Sequence, residues 1–179
     1  CNGNQLNDLN VSNNPELDFL ACDGNMLSNL DASNNLALTR LFCSENQLTE
    51  LDVSNNTELE ALICSDNQLT SLDLSNNLEL SHGPYGSAGL VCSNNQLTTI
   101  DISQNINLNA LICGGNLLSR LDISENSLLN YTDLSNMTSL NEVCVWTKPF
   151  PPEHVEIDTT GSPNVYFTSE CFYDTIVYI

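Results

Sequence analysis

LTRLFCSENQLTELDVSNNTE, residues 38–58, is one unit of a pattern that recurs in a single register along a chain of 179 residues. Its cysteine is one of six that fall in step: Cys1, Cys22, Cys43, Cys64, Cys92 and Cys113, at intervals of 21, 21, 21, 28 and 21 residues. A period this constant marks a tandem array of structural units, and hence a solenoid. Leucines sit five and two positions before most of these cysteines, and five positions after every one of them. Asparagines follow at three and thirteen positions: Asn46 and Asn56 in the quoted unit, Asn67 and Asn77 in the next. The single interval of 28 carries its seven extra residues within 81–89, whose SHGPYGSAG composition reads as a protruding loop.

Each position has a physical reason. In L-x-C the leucine and cysteine project to one face of a short strand and the intervening residue to the other. Coils stacked at about 4.8 Å pair their strands in parallel and merge the leucines into one dry core, which no unit could bury alone. Each asparagine can both donate to and accept from turn backbone groups inside the coil that no strand reaches. The second half, L-D-x-S-x-N, copies the geometry of the first, so the back should be a second short strand or an extended segment rather than a helix.

The full unit, L-x-x-L-x-C-x-x-N-x-L-x-x-L-D-x-S-x-N-x-x, begins with the leucine-rich repeat signature. It most closely resembles the 21-residue internalin-like repeats of bacterial surface proteins that carry a cysteine ladder. The resemblance covers residues 1–129 in strict register and continues weakly to Trp146. It implies a right-handed solenoid, a β-α-type superhelix of short parallel strands with little or no helix. It also implies a non-catalytic recognition module of a secreted or surface bacterial protein, binding a protein or glycan through its concave face. The alternative is a structural spacer of a larger surface protein with no specific ligand.

The expected division is a solenoid over 1–146, with six regular coils and an irregular last one, then a C-terminal cap over 147–179. Residues 129–140 would add a half-coil and 141–146 a last front strand. In the cap, 165–168 and 172–179 read as strands. Because the chain opens on Cys1 already in repeat phase, it reads as a mature fragment or a piece cut from a longer protein.

The net charge is −20, and Arg40, Arg120 and Lys148 are the three basic residues. Nucleic acid and anionic membrane surfaces, which recruit Lys and Arg, are therefore excluded as partners. No run of 18 apolar residues is present to span a bilayer. The chain is expected as a monomer. It has two histidines far apart and no nucleophile-elbow, zinc-protease or phosphate-loop motif, so no enzyme is expected.

The six periodic cysteines occupy a slot usually filled by leucine. They read as small buried hydrophobes that stay reduced, and the absence of C-x₂₋₄-C pairs argues against zinc. Cys144 and Cys171 break the period. With Val143 and Val145 inward, Cys144 faces out, where Cys171 could reach it. That disulfide would close the cap, fit an oxidising extracellular setting and contribute roughly 3 kcal/mol.

Front-strand residues flanking each cysteine point outward. The row just before it is Ala21, Phe42, Ile63, Val91 and Ile112, an apolar stripe beside Phe19 and Arg40, with Trp146 continuing the face at the capped end. A stripe that varies from coil to coil suggests a binding patch. Phe42 is its strongest candidate anchor. His82 and Tyr85 of the inserted loop lie beside it. On the back runs a ladder of Asp31, Asp52, Asp73, Asp101 and Asp122, which Asp133 would extend, flanked by serines. Each Asp is read as accepting hydrogen bonds from turn amides or serine hydroxyls. A row of weak calcium sites is the alternative; no other cofactor is expected.

Overall fold

The computed structural model describes residues 1–82, 89–147 and 149–171. It is a parallel β-solenoid with no helix among the described residues. Seven short strands form the front sheet: β1 (Phe19–Ala21), β2 (Arg40–Phe42), β3 (Ala61–Ile63), β4 (Leu90–Val91), β5 (Ala110–Ile112), β7 (Tyr131–Asp133) and β9 (Glu156–Asp158). A second sheet, on the back, is made of β6 (Arg120–Asp122), β8 (Glu142–Cys144) and β10 (Tyr166–Thr168). The pairings of these ten strands are all parallel, and equivalent positions of successive units meet: Leu20 on Leu41, Leu41 on Leu62, Leu62 on Leu90, Leu90 on Leu111.

Alternation decides what is buried. Leu41, Leu62 and Leu111 are fully buried, as are Cys22, Cys43, Cys64, Cys92 and Cys113, while Phe42, Ile63 and Ile112 between them remain half-exposed. The five buried cysteines and Cys1 are free thiols. Beyond each cysteine the chain turns sharply. The residue two positions on has a positive φ in unit after unit: Gly24, Glu45, Asp66, Asn94, Gly115. Glycine adopts this left-handed conformation freely, and Asn and Asp tolerate it better than other residues.

The first asparagine ladder stitches coil to coil. Asn67 Nδ2 donates to the carbonyls of Cys64 and Ser65 in its own coil and of Cys43 in the preceding one, and its Oδ1 accepts from Leu48 N–H at 3.0 Å. Asn46 and Asn95 repeat this arrangement. The second ladder donates across the same gap, Asn56 to Ala32 and Asn35, Asn77 to Val53 and Asn56. Buried turn carbonyls that no strand can reach are satisfied in this way.

The insertion leaves the stack intact. Ser81 donates its N–H to Glu60 O, and its own carbonyl accepts from Asn109 N–H at 3.0 Å. Gly89 then immediately precedes the next front strand. A Cβ there would lie 2.6 Å from the Ser81 carbonyl oxygen, so only glycine lets the chain return so close to its exit.

Three expectations change at the C-terminal end. The segment 141–146 is not a front strand: β8 pairs with β6 in the back sheet, and β7 supplies the front strand of this coil. Asp133 accordingly lies on the front, not in the rear ladder. The reason is in the spacing. Ile112 pairs with Asp133, 21 positions on, so the period itself puts 131–133 on the front and leaves 142–144 the back; Leu121 pairs with Val143, 22 positions on, so one extra residue also enters the coil between the two strands. Leu134, 21 residues after Cys113, fills the cysteine slot and is fully buried. Nor does the strand ladder stop at 146. β9 stacks on β7 and β10 on β8, and Ser162 replaces the ladder asparagine, donating to Leu134 O at 2.7 Å and accepting from Met137 N–H at 2.8 Å. The expected strand at 165–168 is β10; that at 172–179 lies outside the described residues.

Candidate binding face

The sequence-predicted stripe assembles on the front sheet. Register places Ala21 beside Phe42, Phe42 beside Ile63, Ile63 beside Val91 and Val91 beside Ile112, all half-buried. In-register pairing keeps these side chains on one face, because successive residues of a strand alternate between faces. The adjoining row is Phe19, Arg40, Ala61, Gly89 and Ala110, bulky at one end and small thereafter. Phe19 and Phe42 meet edge to face with ring centroids 5.0 Å apart. The Arg40 guanidinium lies 4.7 Å from the centre of the Phe19 ring, a cation–π contact. Arg40 thereby holds Phe19, 38% exposed, in one place at the rim of the stripe.

Of the other candidates, His82 is exposed at the start of the insertion, and Tyr85 lies outside the described residues. Trp146 is not on this face. It follows the back strand β8 and packs edge to face on Phe150 at 5.1 Å, with Phe167 against Phe150 at 5.2 Å. It lies on the back for the same reason that Asp133 lies on the front: the 21-residue period runs on from Ile112 to Asp133, so 131–133 takes the front place in this coil and 142–144 the back. Cys144 and Cys171 form the expected disulfide. Cys144 points away from the core, as its place between Val143 and Val145 requires, yet it is buried beneath the segment that Cys171 anchors.

Sequence reasoning missed what ends the stripe. On β7 and β9 the row just before the cysteine slot becomes Asp133 and Asp158, in register with Ile112, and the neighbouring row becomes Tyr131 and Glu156. Burial, then the charges of Asp133, Asp158 and Glu156, push the Tyr131 phenol above its ordinary value. The signal for Asp133 was present, since Leu134 falls on the 21-residue period. No period marks Asp158.

The back behaves as scaffold. Each ladder carboxylate accepts the N–H of the serine two residues on: Asp31 from Ser33, Asp52 from Ser54, Asp73 from Ser75, Asp101 from Ser103 and Asp122 from Ser124, at 2.9–3.0 Å. In the first coil Asn10 does the same for Ser12. Bonds from the serine hydroxyl and amide hold Asp31, Asp52 and Asp73 below the usual carboxylate range. The groove they line together with Glu50, about 680 Å³, is open to solvent. Burial pushes the ladder thiols the other way, Cys22 to about 11 and Cys92 to about 12.

No family model and no curated protein matches the sequence. Solved structures do. Over 92% of its length the chain is similar to the functional domain of InlJ from Listeria monocytogenes, which includes a cysteine ladder, with 30% identity and a TM-score of 0.76. A leucine-rich repeat protein of Leptospira interrogans matches over 93% of the chain at 21% identity and a TM-score of 0.74. The internalin InlF of Listeria monocytogenes matches over 90% at 19% identity and 0.63. The chain spans 39%, 42% and 50% of the lengths of these three. Repeat signature, stacked cysteines and shared fold together give this chain a leucine-rich repeat solenoid similar to the cysteine-ladder domain of InlJ.

Proposed function

We propose that the chain is a non-catalytic recognition module of a secreted or cell-surface bacterial protein and binds a protein or glycan through its front sheet. The observation that carries this reading is the apolar row Ala21, Phe42, Ile63, Val91 and Ile112, continuous over five neighbouring strands and half-exposed throughout. A solenoid that only spaced other domains would gain nothing from it, and a contiguous apolar patch on a very acidic chain marks a surface that something covers. The back, where the same Asp–Ser turn recurs in coil after coil, supplies stiffness. The disulfide supports an oxidising compartment.

The test begins with ligand discovery, by glycan array and by pull-down from surface proteins of host or neighbouring cells. Binding by wild type is then compared with Phe42→Ser/Ile63→Ser. Loss of an aromatic anchor and its neighbour should weaken binding at least about thirtyfold, the effect of roughly 2 kcal/mol at an interface hot spot. A melting curve matching wild type guards against misfolding. Unchanged affinity in the double variant would remove the front sheet from consideration.

A further inference from the structure

The front face is not uniform along the solenoid axis, and that asymmetry bears on what it binds. From β2 to β5 the outward row is Phe42, Ile63, Val91 and Ile112; on β7 and β9 the same row is Asp133 and Asp158, with Glu156 beside it. The apolar stretch therefore runs directly into an anionic one, and Arg40 lies at the opposite end on β2. We infer that the ligand of this face is a polypeptide segment that lays apolar side chains over β2–β5 and a lysine or arginine over β7–β9.

This rests on the front-sheet reading above and goes further by choosing between ligand classes. The side chains of Phe42, Ile63, Val91 and Ile112 carry no hydrogen-bonding group, so sugar hydroxyls pressed on them would be desolvated without partners, at a cost. Apolar peptide side chains incur no such penalty. Five strand spacings separate β2 from β9, about 24 Å at roughly 4.8 Å each. About seven extended residues, at roughly 3.3 Å apiece, span that length. Complementarity selects the charge: three acids gather on β7 and β9 in a chain of net charge −20, which also draws cationic partners from a distance. Register sets Tyr131 beside Glu156 and Asp133 beside Asp158 at the end of the stripe; burial first, and then the charges of these three acids, raise the Tyr131 phenol. Asp133 and Asp158 each hold a turn, accepting Ser135 N–H and Thr160 N–H at 2.8 Å through one oxygen. An asparagine can keep that bond, as Asn10 does for Ser12 at 3.0 Å, so the charge can be removed without removing the turn.

The experiment is selection of yeast-displayed random twelve-residue peptides on the wild-type chain, alongside a neutral glycan array. Recovered peptides are then measured against Phe42→Ser/Ile63→Ser and against Asp133→Asn/Asp158→Asn. The expected result is enrichment of peptides with an apolar block next to Lys or Arg, which lose binding in both variants, about fivefold to tenfold in the Asp pair. Their affinity for wild type should also fall steeply between about 0.01 M and 1 M salt, as the screening length drops from about 30 Å to about 3 Å. That titration carries the same information should the Asp pair fold poorly. Peptides that need Phe42 and Ile63 but show no basic preference and no salt dependence would overturn this inference and leave the front-sheet reading standing. Glycan binding lost in Phe42→Ser/Ile63→Ser, with no enriched peptide, would do the same. Peptides indifferent to Phe42→Ser/Ile63→Ser would overturn the front-sheet reading itself.

Discussion

Asn67→Ala should destabilise the solenoid by about 3–5 kcal/mol, far more than loss of a small polar side chain ordinarily costs. Asn67 is buried, and its amide serves four backbone groups at 3.0–3.1 Å: Leu48 N–H, and the carbonyls of Cys43, Cys64 and Ser65. Alanine leaves the Leu48 N–H without this acceptor in a site closed to water, about 1–3 kcal/mol. The two donated hydrogens add about 1 kcal/mol each. For a chain of this size the total lowers the melting temperature by about 10 °C, at roughly 2–4 °C per kcal/mol. Asn67→Asp should be worse still. It keeps the acceptor for Leu48 but turns a buried carboxylate towards three carbonyl oxygens. Asn55→Ala is the internal control, since exposed Asn55 makes one bond to Ser33 O at 3.3 Å and should cost under about 1 kcal/mol. Urea unfolding followed by far-UV circular dichroism measures all three. A cost for Asn67→Ala indistinguishable from that of Asn55→Ala, or an Asn67→Asp variant as stable as wild type, would refute the view that this ladder binds coil to coil.

Three further outcomes follow from the ladder and its corner. Cys22, Cys43, Cys64, Cys92 and Cys113 are fully buried free thiols, so a thiol reagent added to the native protein should label exposed Cys1 alone, and unfolding without reductant should reveal six thiols. These thiols also tie stability to alkaline pH. Unfolded they ionise near the ordinary 9.0, while Cys22 does so at about 11 and Cys92 at about 12 when folded, because burial disfavours the thiolate. Between those values the unfolded chain has released protons that the folded one retains. The contribution is therefore complete below about pH 9 and is lost as pH rises towards 12, which unfolding midpoints across that range would show. Glu45, exposed with a φ of 53°, occupies the corner that Gly24 and Gly115 fill elsewhere. Relief of left-handed strain in Glu45→Gly should stabilise the chain by up to about 1 kcal/mol in urea; a clear loss of stability would show that the corner is not strained.

The period alone determined that this chain is a solenoid, which residues line its core and which row faces out on β1–β5. Core leucines and cysteines must recur at one interval for coils to stack, so spacing in sequence translates directly into position in space. It also singled out Cys144 and Cys171, because a cysteine off the period has no place in the ladder. The period had no such authority after Cys113. Leu134 keeps the spacing without a cysteine to announce it, one added residue shifts the back strand relative to the front, and Ser162 performs the asparagine's task with different chemistry. Only the folded chain could settle those points, because which strand 142–144 joins depends on the coil beneath it and not on its own letters. For that reason the stripe was legible in the sequence, while the acidic end formed by Asp133, Glu156 and Asp158 emerged from tertiary stacking.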